Sequence, residues 1–157
     1  MSSTLSTVRV TDAFETMMNV GLAAQAAATN RPPDPAAVLN APPNVTDGSG
    51  RPTKLFYVIY PIATAAGESS FSDFYEIVQL EFQVRAVGMT RKSAEWGDEQ
   101  ARLVIVGRTA SGAYTYPMTV QGGSSTVVNR RVALFGGVTS DAPGTFEVNS
   151  SYFVSIG

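Results

Sequence analysis

Between Val78 and Val106 the chain changes its hydrophobic period from two to that of a helix. Val78, Leu80, Phe82, Val84 and Ala86 alternate with Gln79, Glu81, Gln83 and Arg85. That is the pattern of a half-buried strand in an antiparallel sheet. After Gly88 a helix is predicted, with the Thr90 hydroxyl placed to cap its first turn and Gly107 at its end. At about 100° per residue, Ala94, Gly97, Ala101, Val104 and Ile105 share one arc, with Glu95, Glu99 and Arg102 opposite. The small residues let this helix lie close to a sheet. Trp96 and Leu103 widen the apolar arc beyond the roughly 100° stripe that one packing face needs. Arg91 and Lys92 occupy the first turn, where the helix dipole disfavours cations.

The rest of the chain gives a second helix and further strands. Residues 1–10 read as a flexible arm. Asp12 with Glu15 reads as a capping box opening a helix, whose stripe is Phe14, Met17, Met18, Gly21 and Leu22 and which Asn30 and Pro32 end. Six prolines make 31–53 a long loop with one short turn near Ala36–Leu39. It is either a flexible connector or an arm lying on a neighbouring subunit. Lys54–Tyr60 is apolar on both faces and predicts a strand covered on both sides, closed by Pro61. A hairpin loop then carries Glu68, Phe71, Asp73 and Phe74, and aromatic residues in such loops are often contact residues. Ala113–Val120 alternates again, and Pro117 suggests an edge strand. Thr126–Phe135 and Thr145–Ile156 complete the strands, with a loop over 136–144. The sum is a single α+β domain over 1–157: two helices packed on a mostly antiparallel sheet of four to six strands.

Composition narrows the chemistry. The 157 residues include 11 basic and 13 acidic side chains, a net charge of −2, and neither cysteine nor histidine. Sequence-specific nucleic-acid binding is not expected from so balanced a charge. Disulfides, thiolate zinc sites and histidine-based catalysis are excluded by residue type. No secretory leader and no membrane span is expected. The Gly48–Lys54 stretch has the wrong spacing for a phosphate loop, and Pro52 removes a needed N–H. Arg130 and Arg131, adjacent on a strand, point to opposite faces, each expected to be solvated or ion-paired rather than bound to phosphate. Glu95, Asp98 and Glu99 would be the carboxylates of a small hydrolase, but the wheel reads them as solvated, with Asp98 pairing Arg102. No enzyme activity, cofactor or metal is expected. A monomeric binding module is the remaining bland alternative.

Two stretches, Tyr57–Ile62 (YVIYPI) and Phe82–Arg102 (FQVRAVGMTRKSAEWGDEQAR), resemble the tail terminator proteins of long-tailed bacteriophages, especially those of actinobacteria. The matching positions are Phe82, Gln83, Val84, Val87, Gly88, Thr90, Arg91, Ala94, Glu95 and Trp96. The similarity covers about a quarter of the chain; the C-terminal third departs from the pattern, and the 31–53 loop is longer than usual. The resemblance implies a virion protein at the head-proximal end of the tail, made in the host cytoplasm. It implies a hexameric ring that caps the tail tube, stops its polymerisation and docks the head-completion or stopper protein, with genomic DNA passing through the lumen unbound. A ring needs two complementary sides on each subunit. The expected contacts are Arg91, Lys92, Trp96 and Leu103 between subunits and Glu68, Phe71, Asp73 and Phe74 on the tube protein. Gln79, Glu81, Gln83 and Arg85 are expected to line the lumen. Another neck protein is the alternative of the same class.

Overall fold

The computed structural model describes residues 7–62, 78–120 and 127–156. Its elements are α1 (Thr7–Ala28), β1 (Ala36–Val38), β2 (Phe56–Ile62), β3 (Val78–Gly88), α2 (Arg91–Val106), β4 (Val127–Leu134), β5 (Val138–Ala142) and β6 (Thr145–Ile156). The strands form one sheet in the order β1-β2-β3-β6-β4, with β5 also pairing β6. Every pairing is antiparallel except β1 with β2. The fold is therefore α+β, a six-stranded sheet with two helices on it.

The alternation of β3 sets the layers. Leu80, Phe82, Val84 and Ala86 face the helices and join one core with Phe14, Met17, Met18, Val104, Ile105, Tyr152 and Val154. Phe14 of α1 stacks on Phe82, ring centroids 4.3 Å apart. The two helices touch where Gly21 meets Val104, and a Cβ on Gly21 would run into the Val104 methyl groups. Gly97 does the same for α2 against the sheet, beneath Leu55 and Tyr57. The Tyr57 hydroxyl donates to the Gly97 carbonyl at 2.9 Å. Burial pushes that hydroxyl's pKa well above the ordinary tyrosine value. Thr90 caps α2 as expected, accepting from Ser93 N–H at 3.1 Å, and the Gly107 N–H closes its end on the Leu103 carbonyl.

Several expectations need correction. The helix α1 begins at Thr7 rather than Asp12, so residues 7–10 are not an arm, and residues 1–6 lie outside the described residues. Val10 is fully buried because it falls four and seven residues before Phe14 and Met17, on the same stripe. Asp12 and Glu15 thus sit inside the helix and cap nothing. Pro61 lies within β2 opposite Phe82. β1 pairs only with 57–59, so the missing N–H at Pro61 faces a side with no strand.

The loop 31–53 is not a loose connector, because it packs on its own subunit. It forms β1, with Asn30 in a left-handed turn after α1. It then folds over the second face of β2. Val45 packs there with Phe56, Val58 and Val87 in a small separate core. The apolar second face of β2 required such a cover, and the loop's own valine supplies it. Asp47 fixes the turn: its carboxylate accepts from Ser49 N–H, Ser49 Oγ and Arg51 N–H at 2.8–2.9 Å. The Ser49 hydroxyl, followed by the Arg51 amide, holds the Asp47 carboxyl below its ordinary pKa. Replacing Val45 with alanine is expected to lower stability by about 1–3 kcal/mol. Urea denaturation would read this, and an unchanged midpoint would mean the loop is not anchored by this residue.

Ala113–Val120 forms no strand. Its burial alternates as the pattern predicts, with Met118 buried and Tyr116 and Val120 packed against the core. However, among the described residues the only sheet-like pairing near it is a single bridge between Arg108 and Tyr114. Finally, the stretch 136–144 is not all loop, because β5 pairs part of it with β6.

Candidate functional site

The four residues expected on a lumen face do share one face. On β3, the central strand, Gln79 lies opposite Ser155, Glu81 between Ile62 and Phe153, Gln83 between Tyr60 and Ser151, and Arg85 between Val58 and Asn149. On that face β6 contributes Asn149, Ser151, Phe153 and Ser155, whereas β2 contributes the mostly apolar Val58, Tyr60 and Ile62. The face is half-buried rather than fully open, because the 31–53 loop covers one end. The uncovered part holds a shallow depression of about 400 Å³ lined by Tyr60, Gln83, Arg85, Asp141, Glu147 and Asn149. On its floor the Arg85 guanidinium pairs with the buried Glu147 carboxylate and reaches the Tyr60 hydroxyl at 3.4 Å. Burial pulls the Arg85 pKa down, but hydrogen bonds with Tyr60 and Glu147 outweigh it and hold the pKa above the ordinary arginine value. Across the face, the Arg131 guanidinium lies 4.6 Å over the Phe153 ring.

The expected subunit contacts sit on the outer surface of α2. Lys92, Trp96 and Leu103 fall on one stripe by their spacing of four and seven residues. Trp96 and Leu103 are 37% and 49% exposed. The Trp96 ring is covered on one side by the Arg31 guanidinium, 4.3 Å from its centroid. Arg91 instead pairs with Glu95 at 3.1 Å. The tube-contact residues Glu68, Phe71, Asp73 and Phe74 lie outside the described residues.

Two exposed apolar residues beside α2 were missed in the sequence. Leu134 and Phe135, at the end of β4, are 63% and 61% exposed. The guanidinium of Arg102, beside Leu103 on α2, lies 4.4 Å over the Phe135 ring. The available signal was an apolar pair at the end of a strand, immediately before Gly136 and Gly137.

Beneath that corner lies a polar network that also contradicts expectation. Asp98 is not solvated but 6% exposed. Its carboxylate accepts from Arg102 Nη2 at 2.7 Å and from Ser150 Oγ at 2.7 Å. Ser150 Oγ in turn accepts the Gly136 N–H at 3.1 Å. Asp98 therefore ties α2 to β6 and to the turn after β4. The expected pairing with Arg102 holds, but Asp98 lies on the sheet side of the helix, where Ser150 faces it. Glu95 and Glu99 are exposed, so the three carboxylates do not converge. Burial raises the pKa of the neighbouring Tyr152 hydroxyl well above the ordinary value.

Arg130 is neither solvated nor ion-paired. It is 3% exposed, on the helix face of β4, while Arg131 is on the other face. Its guanidinium donates to the Tyr116 carbonyl at 2.7 Å, meets the Met17 sulfur, and lies 3.9 Å over the Tyr114 ring. Burial lowers its pKa, offset in part by Tyr114 and reinforced by Arg108. Among the described residues, no three His, Cys, Asp or Glu side chains group to hold a metal ion, and no helix is long and apolar enough to cross a membrane.

No protein-family model and no curated protein matches the chain. One solved protein structure, whose name carries no functional description, matches 96% of this chain and 96% of its own at 21% sequence identity and a TM-score of 0.53. That likeness extends over the whole α+β fold and speaks to the fold alone.

Proposed function

We propose that the chain is a structural virion protein, a tail terminator of a long-tailed bacteriophage, rather than an enzyme. Its copies form a ring on the completed tail tube, stop tube growth and offer a surface to the head-completion or stopper protein. The observation that carries the reading is the resemblance over Tyr57–Ile62 and Phe82–Arg102. These residues build one continuous unit, with β3 beside β2 and α2 packed on β3. The unit presents two separate surfaces. Its polar sheet face is suited to a lumen, because Arg85 is already neutralised by Glu147. With Arg85 paired, Arg131 is left as a cation on this face, and so sparse a positive charge lets DNA slide instead of gripping its phosphates. Its outer helix face carries Trp96 and Leu103, and tryptophan is among the side chains that most often anchor protein interfaces.

Ring closure makes a direct demand on Trp96. Changing it to alanine is expected to weaken each subunit contact by about 2 kcal/mol, so that light scattering at equal concentration shows smaller particles than wild type. Unchanged assembly would remove Trp96 from the interface.

A further inference from the structure

The two edges of the sheet are closed by different means. At β1, the Asn19 side chain of α1 serves both backbone groups of Ala36: its Nδ2 donates to the carbonyl at 3.0 Å, and its Oδ1 accepts the N–H at 3.1 Å. The next outward carbonyl, that of Val38, accepts from Asn40 N–H at 2.8 Å. A helix and a turn thus cover that edge. At β4, among the described residues, the cover is a single phenol. The Tyr114 hydroxyl accepts the Arg130 N–H at 2.7 Å and Arg108 Nη2 at 2.8 Å. Its one proton serves Asn129 Oδ1 at 2.9 Å or the Arg130 carbonyl at 3.1 Å. Both oxygen lone pairs and the proton are used. The Tyr114 ring is held by two guanidinium groups, Arg108 at 4.3 Å and Arg130 at 3.9 Å from its centroid.

A strand edge with unpaired N–H and C=O groups is a template for another chain. β4 is regular from Asn129 to Val132, with register shifts on either side. Alternation places the N–H and C=O of Val132 on the same outer side as those of Arg130. On that side of the sheet β5 is short and irregular, so β4 is the edge that two copies of this chain can share.

We infer that Tyr114 is an edge guard: it holds β4 closed against pairing with the β4 strand of a second copy. The segment after α2 keeps the alternating pattern of a strand because it must present Tyr114, Tyr116 and Met118 inward. It closes the edge through a side chain, leaving no new edge of its own. The register shifts and the Arg131 charge act in the same direction. The inference does not depend on the ring reading, since wild type in its own oligomeric state is the reference.

The test uses Tyr114→Phe, which keeps the stacked ring and removes the hydroxyl, and Tyr114→Ala, which removes the plug. In the Phe variant the Arg130 amide is expected to exchange with solvent at least about tenfold faster. Sedimentation is expected to show concentration-dependent association beyond wild type, more for Ala than for Phe, with the Val132 amide protected in the associated species. Slow Arg130 exchange in the Phe variant would overturn the hydrogen-bond assignment. Absence of added association in both variants, or association that leaves the Val132 amide unprotected, would overturn the guard. Where the Ala variant loses its circular-dichroism signature, the Phe variant decides.

Discussion

Replacing Asp98 with alanine is expected to lower the unfolding free energy by about 3 kcal/mol. The carboxylate is buried and takes two hydrogen bonds at 2.7 Å, one of them from a guanidinium. Its removal strands the Ser150 hydroxyl in the core, where Ser150 has no exposure at all, and leaves Arg102 without its counter-charge. An unsatisfied buried hydroxyl costs about 1–3 kcal/mol. The Arg102 side chain is about one-third exposed, so water recovers part of its loss, which holds the total near the lower end for a broken buried pair. Asp98→Asn keeps an acceptor for Ser150 and is expected to lose roughly half as much. Urea denaturation of both variants reads the difference. Equal midpoints for wild type and the alanine variant would show that the network contributes nothing to stability.

The second large effect falls on the same corner from the other side. A Cβ on Gly136 would overlap the Asn149 carbonyl oxygen, and that oxygen belongs to the backbone of β6. No rotamer change relieves such a contact, so the turn after β4 must move. Gly136→Ala is expected to cost about 3 kcal/mol. Moving the turn also withdraws the Gly136 N–H from Ser150, and with it one support of the Asp98 network. The two variants should therefore couple: the double variant loses less than the sum of the singles. Strict additivity in a thermal or urea cycle would separate the turn from the network.

Much of this fold was legible because it rests on periodicity. The β3 alternation assigned Leu80, Phe82 and Val84 to the core, and the α2 wheel placed Ala94, Gly97 and Ala101 against the sheet. What was not legible depends on contacts between distant segments. Asp98 reads as a surface carboxylate on any wheel until Ser150, 52 residues away, is brought beneath it. Arg130 reads as a solvated cation until Tyr114, Tyr116 and Met17 enclose it. Ala113–Val120 has the alternation of a strand, but alternation reports burial and not pairing, and here a phenol stands in for the ladder. The prolines of 31–53 ruled out regular structure over most of the loop, yet Val45 was the residue that decided where the loop goes. For the candidate surfaces, the pattern placed Trp96, Leu103 and the polar strip of β3, while Leu134 and Phe135 emerge only when β4 ends beside α2.

The central claim is that this chain closes into a ring on a tail tube. The most direct measurement is electron microscopy of the purified protein mixed with polymerising tail tube protein, with native mass spectrometry of the same samples. The account predicts closed rings of one stoichiometry seated at one end of tubes whose growth has stopped. A protein that stays monomeric with and without tube protein, on tubes that continue to lengthen, would contradict it.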